Sequence, residues 1–285
     1  MSDKNSISRR ALVKSSIFGM FAVSIPSIGY SKSILPSSEK SYNGELFHRY
    51  PSIDDEIVSE IVGASHFNLD RVSELVDKRP ELARATWDWA FGDWETAIGA
   101  ASHVGRRDIV GYLMSKGARP DIFTYAMLGE YDVVKGMIEA TPGVQSIAGP
   151  HGISLLTHCE IGSRSKDITA AEKAKNEKLI AYLKELGNAD GPEYEKLEET
   201  ALENYTGDYM YGDGPNDGFS IKVNMRKMIA FGRLGKFGGG LYPLGNNRFV
   251  YNGTPSVEIS FEMVDGKAIS LTVHEPDLTL KATKV

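Results

Sequence analysis

The residues with most capacity for chemistry in this chain lie between Trp87 and Glu95. The run Trp87-Asp88-Trp89-Ala90-Phe91-Gly92-Asp93-Trp94-Glu95 holds all 3 tryptophans. Aromatic faces beside carboxylates suit a recognition hot spot for another macromolecule, or stacking on a sugar or a cation. The same rings could equally pack beneath their loop and close off a helical core. Asp88, Asp93 and Glu95 are the residue types of a glycosidase acid/base pair, but nothing in the spacing sets their separation. His66 and His103 stand at equivalent places in two similar segments and could face each other across a metal. The plainer expectation is that each bonds a backbone carbonyl of the next loop. His151 and His158 carry weaker signals. Cys159 reads as a small core residue rather than a reactive thiol. No catalytic motif, metal or other cofactor is expected.

Two glycine-rich stretches look like ligand loops and fail on detail. In Gly232–Gly240, Lys236 is followed by Phe237 where a phosphate loop needs Ser or Thr. In Asp213-Gly214-Pro215-Asn216-Asp217-Gly218, Pro215 takes a ligand position of a calcium loop, and Asn224 stands where the bidentate Glu belongs. Both read as turns between strands.

The elements that must position these residues come in two kinds. From 54 to 190 the sequence repeats: Ala64-Ser65-His66 recurs as Ala101-Ser102-His103, and Ala126-Met127-Leu128 and Leu155-Leu156-Thr157-His158-Cys159 begin further copies. Each copy continues with a second apolar period, such as Ile109, Val110, Tyr112 and Leu113, so each reads as two short amphipathic helices. Gly105 and Gly117 stand where helices end in a left-handed residue. The stretch Trp94–Asp121 resembles an ankyrin repeat, closely from Gly105 onward. Thr96 and Ile98 depart from the family's Thr-Pro-Leu-His signature. The resemblance implies an α-solenoid of about four ankyrin-type repeats, with one continuous interior seam through Ala64, Ala101 and Cys159 and loops that present a contact surface.

From 205 to 285 the period switches to two. Phe219, Ile221 and Val223 alternate with polar residues, as do Val257 to Met263, Ile269 to Val273 and Leu278 to Ala282. With Asp265-Gly266 as a hairpin turn, about eight short strands close a small antiparallel β-barrel. The segments around Tyr205–Tyr209, Tyr242–Phe249 and Ala282–Val285 are similar to barrel accessory domains appended to β-lactamase-like hydrolases. That likeness implies a module and no chemistry. An acidic helix over 191–204 is expected to link the two parts, which makes the chain a multidomain α + β protein.

Ser8-Arg9-Arg10-Ala11-Leu12-Val13-Lys14 followed by an uncharged stretch to Gly29 reads as an export signal over 1–30, with a polar tether over 31–53. The paired arginines resemble a twin-arginine signal. That resemblance implies export in a folded state to the periplasm or beyond, of cargo that often carries a cofactor or a co-exported partner. With 32 Lys and Arg against 38 Asp and Glu, a net charge of −6 argues against a nucleic-acid partner, and a single Cys excludes an intramolecular disulfide. No stable membrane anchor is expected after cleavage.

The expected function is an exported ankyrin-repeat scaffold that binds a protein partner through Trp87, Asp88, Trp89, Phe91, Asp93, Trp94, Arg106 and Tyr125. The alternative is a small-ligand binder or weak hydrolase with its site in or beside the barrel, using Tyr209, Tyr211, Arg233, Tyr242 or His274.

Overall fold

Helix starts in this chain are written by short polar side chains that accept from the first free N–H groups. Asn68 accepts from Arg71, Thr96 from Gly99, Asp121 from Thr124 and Ser154 from Thr157. Thr169 and Glu172 form a reciprocal capping box. The computed structural model describes residues 49–236 and 238–285. The signal and most of the tether expected before them lie outside the described residues.

The first part is helical. Its elements are α1 (Asp55–Ala64), α2 (Leu69–Lys78), α3 (Ala97–His103), α4 (Arg107–Ser115), α5 (Ile122–Leu128), α6 (Tyr131–Ala140), α7 (Leu155–Ser163) and α8 (Ala170–Leu186). Gly105 and Gly117 take the left-handed conformation expected of them, with φ of 76° and 88°. The helices do not form a clear solenoid of ankyrin-type repeats, which corrects the expectation above. They are short and unequal, from 7 residues in α3 to 17 in α8. The apolar interior is two clusters rather than one seam: Ala64 and Ala101 belong to the first, Cys159 to the second. Polar contacts explain the break. Ser102, fully buried on α3, donates to buried Thr124 on α5 at 3.1 Å. Beyond it, the Arg107 guanidinium reaches the Met127 carbonyl at 2.9 Å and the Asn176 side chain at 2.5 Å.

Between α2 and α3 a two-stranded hairpin intervenes. Strand β1 (Thr86–Asp88) pairs with β2 (Trp94–Thr96) so that Trp87 faces Glu95. Its loop turns through Phe91 and Gly92, both at positive φ. The link to the barrel is not the helix expected over 191–204; only α9 (Glu199–Leu202) is helical. Ahead of it the backbone has no regular secondary structure, with the Glu195 N–H bonded to the Pro243 carbonyl and the Tyr194 ring 4.6 Å from that of Tyr242 at a tilt of 36°.

The C-terminal part is a closed barrel of β3 (Gly207–Met210), β4 (Gly218–Val223), β5 (Ile229–Arg233), β6 (Gly239–Gly245), β7 (Arg248–Tyr251), β8 (Glu258–Val264), β9 (Lys267–His274) and β10 (Thr279–Lys284). All pairs are antiparallel, and β10 closes on β3. Alternate residues turn inward and fill it, including Tyr209, Ile221, Phe231, Phe249, Ile259 and Leu271. Asp265 and Gly266 both have positive φ, as a two-residue hairpin turn requires. The described residues fall within one compact unit, and no helix among them is long and apolar enough to cross a membrane.

Candidate metal centre

Three histidines and one glutamate from separate elements converge on one point. His66 follows the end of α1. Its Nδ1 lies 3.0 Å from the Gly63 carbonyl, in its own turn rather than in the next loop. A carbonyl only accepts, so Nδ1 carries the proton, and in the neutral ring Nε2 is left with a lone pair. His151 lies in a short turn, Pro150–Gly152, with φ of 57°. Its Nδ1 is 2.7 Å from a carboxylate oxygen of Asp93, so the same logic directs its Nε2 lone pair inward. His103 is the last residue of α3 and is buried. Glu95, fully buried on β2, accepts from the Trp89 indole N–H at 2.7 Å through Oε2. Alternation along β2 sends Trp94 outward and Glu95 inward.

The glutamate lies at the focus. Its Oε1 is 3.0 Å from His103 Nε2 and 3.3 Å from His151 Nε2, and Oε2 is 3.5 Å from His66 Nε2. One ligand atom from each of the four residues fits within 4.8 Å of the others. Donor atoms around a tetrahedral ion with bonds of about 2.0–2.1 Å lie roughly 3.3 Å apart, so the glutamate–histidine separations match a shared ion and wider pairs within the 4.8 Å set would draw in on binding. Glu95 Oε1 and His103 Nε2 are close, yet neither makes a properly directed hydrogen bond. A buried polar atom without a partner is costly, and an ion held between these two would satisfy both.

The electrostatics agree. Burial pushes the Glu95 carboxyl up, but the His103 and His151 rings beside it hold it well below the usual carboxylate range. Burial pushes His151 down, but Asp93 and Glu95 hold it up to about 10. Burial keeps His103 low despite Glu95. Without a metal, the His151 ring is the one these carboxylates hold protonated.

A second layer of groups fixes the ligands. Asp93 accepts from the His151 backbone N–H at 2.9 Å and from Asn252 Nδ2 at 2.6 Å. Asn252 Oδ1 is held by the Gly240 N–H at 2.6 Å. Tyr242, on β6, donates to the His151 carbonyl at 2.8 Å. These bonds over-determine the left-handed backbone of His151, the kind of strain found at functional sites.

The centre forms the floor of a cavity of about 770 Å³ between the helices and the barrel, with Phe67, Trp89, Ile153, Ile161 and Met225 among its walls.

The structure scatters the eight residues expected to bind a partner. Trp89 and Asp93 join the centre. Trp87 packs on the first helical cluster and Tyr125 on the second. Phe91 enters the barrel mouth, 5.0 Å from the Tyr251 ring. Asp88 accepts from the Gly92 N–H, and Arg106 bonds Asp108 and the Phe67 carbonyl. Trp94 stays 63% exposed. Asp93 and Glu95 are each held by histidines, so they do not stand as an acid/base pair. Of the barrel candidates, only Tyr242 touches the centre. Tyr209 bonds the Tyr205 carbonyl, His274 bonds Ser260, and Tyr211 and Arg233 line a separate cavity at the barrel end. The roles of His151 and Asn252 were missed; the Gly149-Pro150-His151-Gly152 turn was the available signal for the first. No protein-family model and no curated protein matches this chain.

Proposed function

We propose that this chain is a metalloprotein that holds one late first-row divalent ion on His66, Glu95, His103 and His151. The observation that carries this reading is the convergence of three imidazole nitrogens on a fully buried carboxylate, with Glu95 Oε1 and His103 Nε2 left without hydrogen bonds. Three imidazoles and one carboxylate suit iron, cobalt, nickel, copper or zinc better than magnesium or calcium. A site at the floor of a cavity suits work on a small molecule, and such an ion supplies Lewis-acid activation of water or of a carbonyl. Asp93 and Trp89 hold the ligands still, and the apolar walls limit water around them. This is a sharper form of the small-ligand alternative, placed beside the barrel rather than inside it. The twin-arginine resemblance implies folded cargo that often carries a cofactor or a co-exported partner, which is compatible with a bound metal, so export remains part of the proposal.

The test is metal uptake. Chelator-stripped protein, dialysed separately against each ion, is expected to retain one equivalent of zinc or cobalt, and the cobalt form to show visible absorption of a four- or five-coordinate site. His66→Ala with His103→Ala is expected to abolish both. Wild-type protein that retains well under one equivalent of every ion tried would end the proposal.

A further inference from the structure

The cavity above the centre has a composition that selects its occupant. Its walls are apolar, and several large side chains stay open to solvent at the rim: Phe67 is 70% exposed, Val104 40% and Met225 fully so. Exposed apolar groups gathered around a concavity are an unfilled contact surface. Most polar groups of the wall are already engaged. Asn224 accepts from the Arg226 and Met228 N–H groups, Asn252 holds Asp93 and Gly240, and Thr157 is bonded to Ser154.

Arg226 is different. It is the one charged side chain of the wall apart from the histidines of the floor. The side chain is exposed, its guanidinium lies 5.7 Å over the Tyr242 ring and donates from Nη2 to the Tyr242 hydroxyl at 3.0 Å, and no carboxylate lies within ion-pair distance among the described residues. The residue is also placed. Asn224 fixes the turn that carries it, with Lys227 at φ 55°. Tyr242 passes the contact on to the His151 carbonyl. A guanidinium without a carboxylate partner in a chain of net charge −6, tied through Tyr242 to the metal centre and standing over apolar walls, suits an anion.

We propose that the cavity binds a small amphipathic carboxylate, an arylalkyl or branched alkyl acid, with its apolar body against Phe67, Val104, Ile161 and Met225 and its carboxylate on Arg226. The assignment rests on the metal reading, because it gives the polar floor to the ion and leaves Arg226 to the substrate. A volume of about 770 Å³ is within the range that takes a drug-sized molecule.

The test is calorimetric titration of zinc-loaded protein with 4-phenylbutyrate and with its neutral counterpart, 4-phenylbutanol, with zinc content measured on the same samples. The acid is expected to bind at least about tenfold tighter, near the discrimination of one charge-assisted contact. Arg226→Gln is expected to erase that preference while alcohol binding and zinc content stay unchanged, and Arg226→Lys to restore part of it. Equal binding of acid and alcohol, or binding of neither by protein that holds zinc, overturns the inference. So does a preference that survives Arg226→Gln, which would place the carboxylate on the metal. Loss of zinc binding would instead remove the metal reading, so the two failures are distinct.

Discussion

Asp93 sets the orientation of His151, because one carboxylate receives both its backbone N–H and its ring N–H. Asp93→Asn keeps the shape and removes the charge. The expected result is a metal affinity weaker by about 10–100-fold at unchanged stoichiometry, read by competition with a chromophoric chelator; an unchanged affinity would leave Asp93 a purely structural role. Two other buried residues give separate tests. Burial pushes the Cys159 thiol up to about 11. In native protein it is expected to resist a disulfide reagent at pH 8 and to react at once on unfolding. Burial pushes His158 down to about 4, with Nδ1 on the Ser154 carbonyl and Nε2 unpartnered. The unfolded chain therefore takes up this proton first as pH falls from about 6.5. Stability is full above that value and is lost progressively toward pH 4, by up to roughly 3 kcal/mol for this group. Denaturant midpoints between pH 7 and 4 check the slope, and His158→Gln should flatten it. Among the ligands, His66 and His103 were visible in the sequence as a repeated Ala-Ser-His, and Glu95 as part of the tryptophan run. His151 was not, because its reach depends on a left-handed turn that several distant hydrogen bonds impose.

Helices such as α2 and α4 were readable because they bury one stripe, and strands such as β8 and β9 because buried and less buried residues largely alternate along them. The error lay in how the helices assemble. A local period reports which side of a helix is apolar and says nothing of polar residues far apart in sequence. Arg107 and Asn176 are such a pair. Asn176, fully buried on α8, donates to the Ala126, Met127 and Cys159 carbonyls at 3.1, 3.0 and 3.2 Å and accepts from Arg107. It thereby ties α8 to the end of α5 and the middle of α7. Asn176→Leu strands these groups in the interior and is expected to cost about 3 kcal/mol, which lowers the melting temperature by roughly 6–12 °C. A fall of under about 2 °C would show that water replaces the amide there. Gly162 tests the same junction by volume: a Cβ on it would lie 1.9 Å from the Met127 carbonyl oxygen. Gly162→Ala is expected to destabilise at least as much, because it deletes no polar group yet pushes the Met127 carbonyl and the Asn176 amide apart.

Across the molecule, the centre is the place where the helices and the barrel depend on each other. All four donors precede the barrel in sequence, yet Asn252 and Tyr242, which hold Asp93 and His151, belong to it. Gly152 permits this approach, since a Cβ there would lie 2.9 Å from the Asn252 carbonyl. A bound ion therefore stabilises both parts at once. At a free ion concentration of about 1,000 times Kd the gain is roughly 4 kcal/mol, or about 8–16 °C in melting temperature for a chain of this size. Asn252→Ala leaves every donor in place and removes one support of Asp93. If that support is worth tenfold in affinity, the metal-induced shift is expected to shrink by about 3–6 °C, while the metal-free protein loses less. Thermal melts of wild type and variant, each with zinc and with chelator, separate the two terms. A variant whose zinc-induced shift equals that of the wild type would mean that the helices hold the ion unaided, and that the barrel serves only as a wall of the cavity.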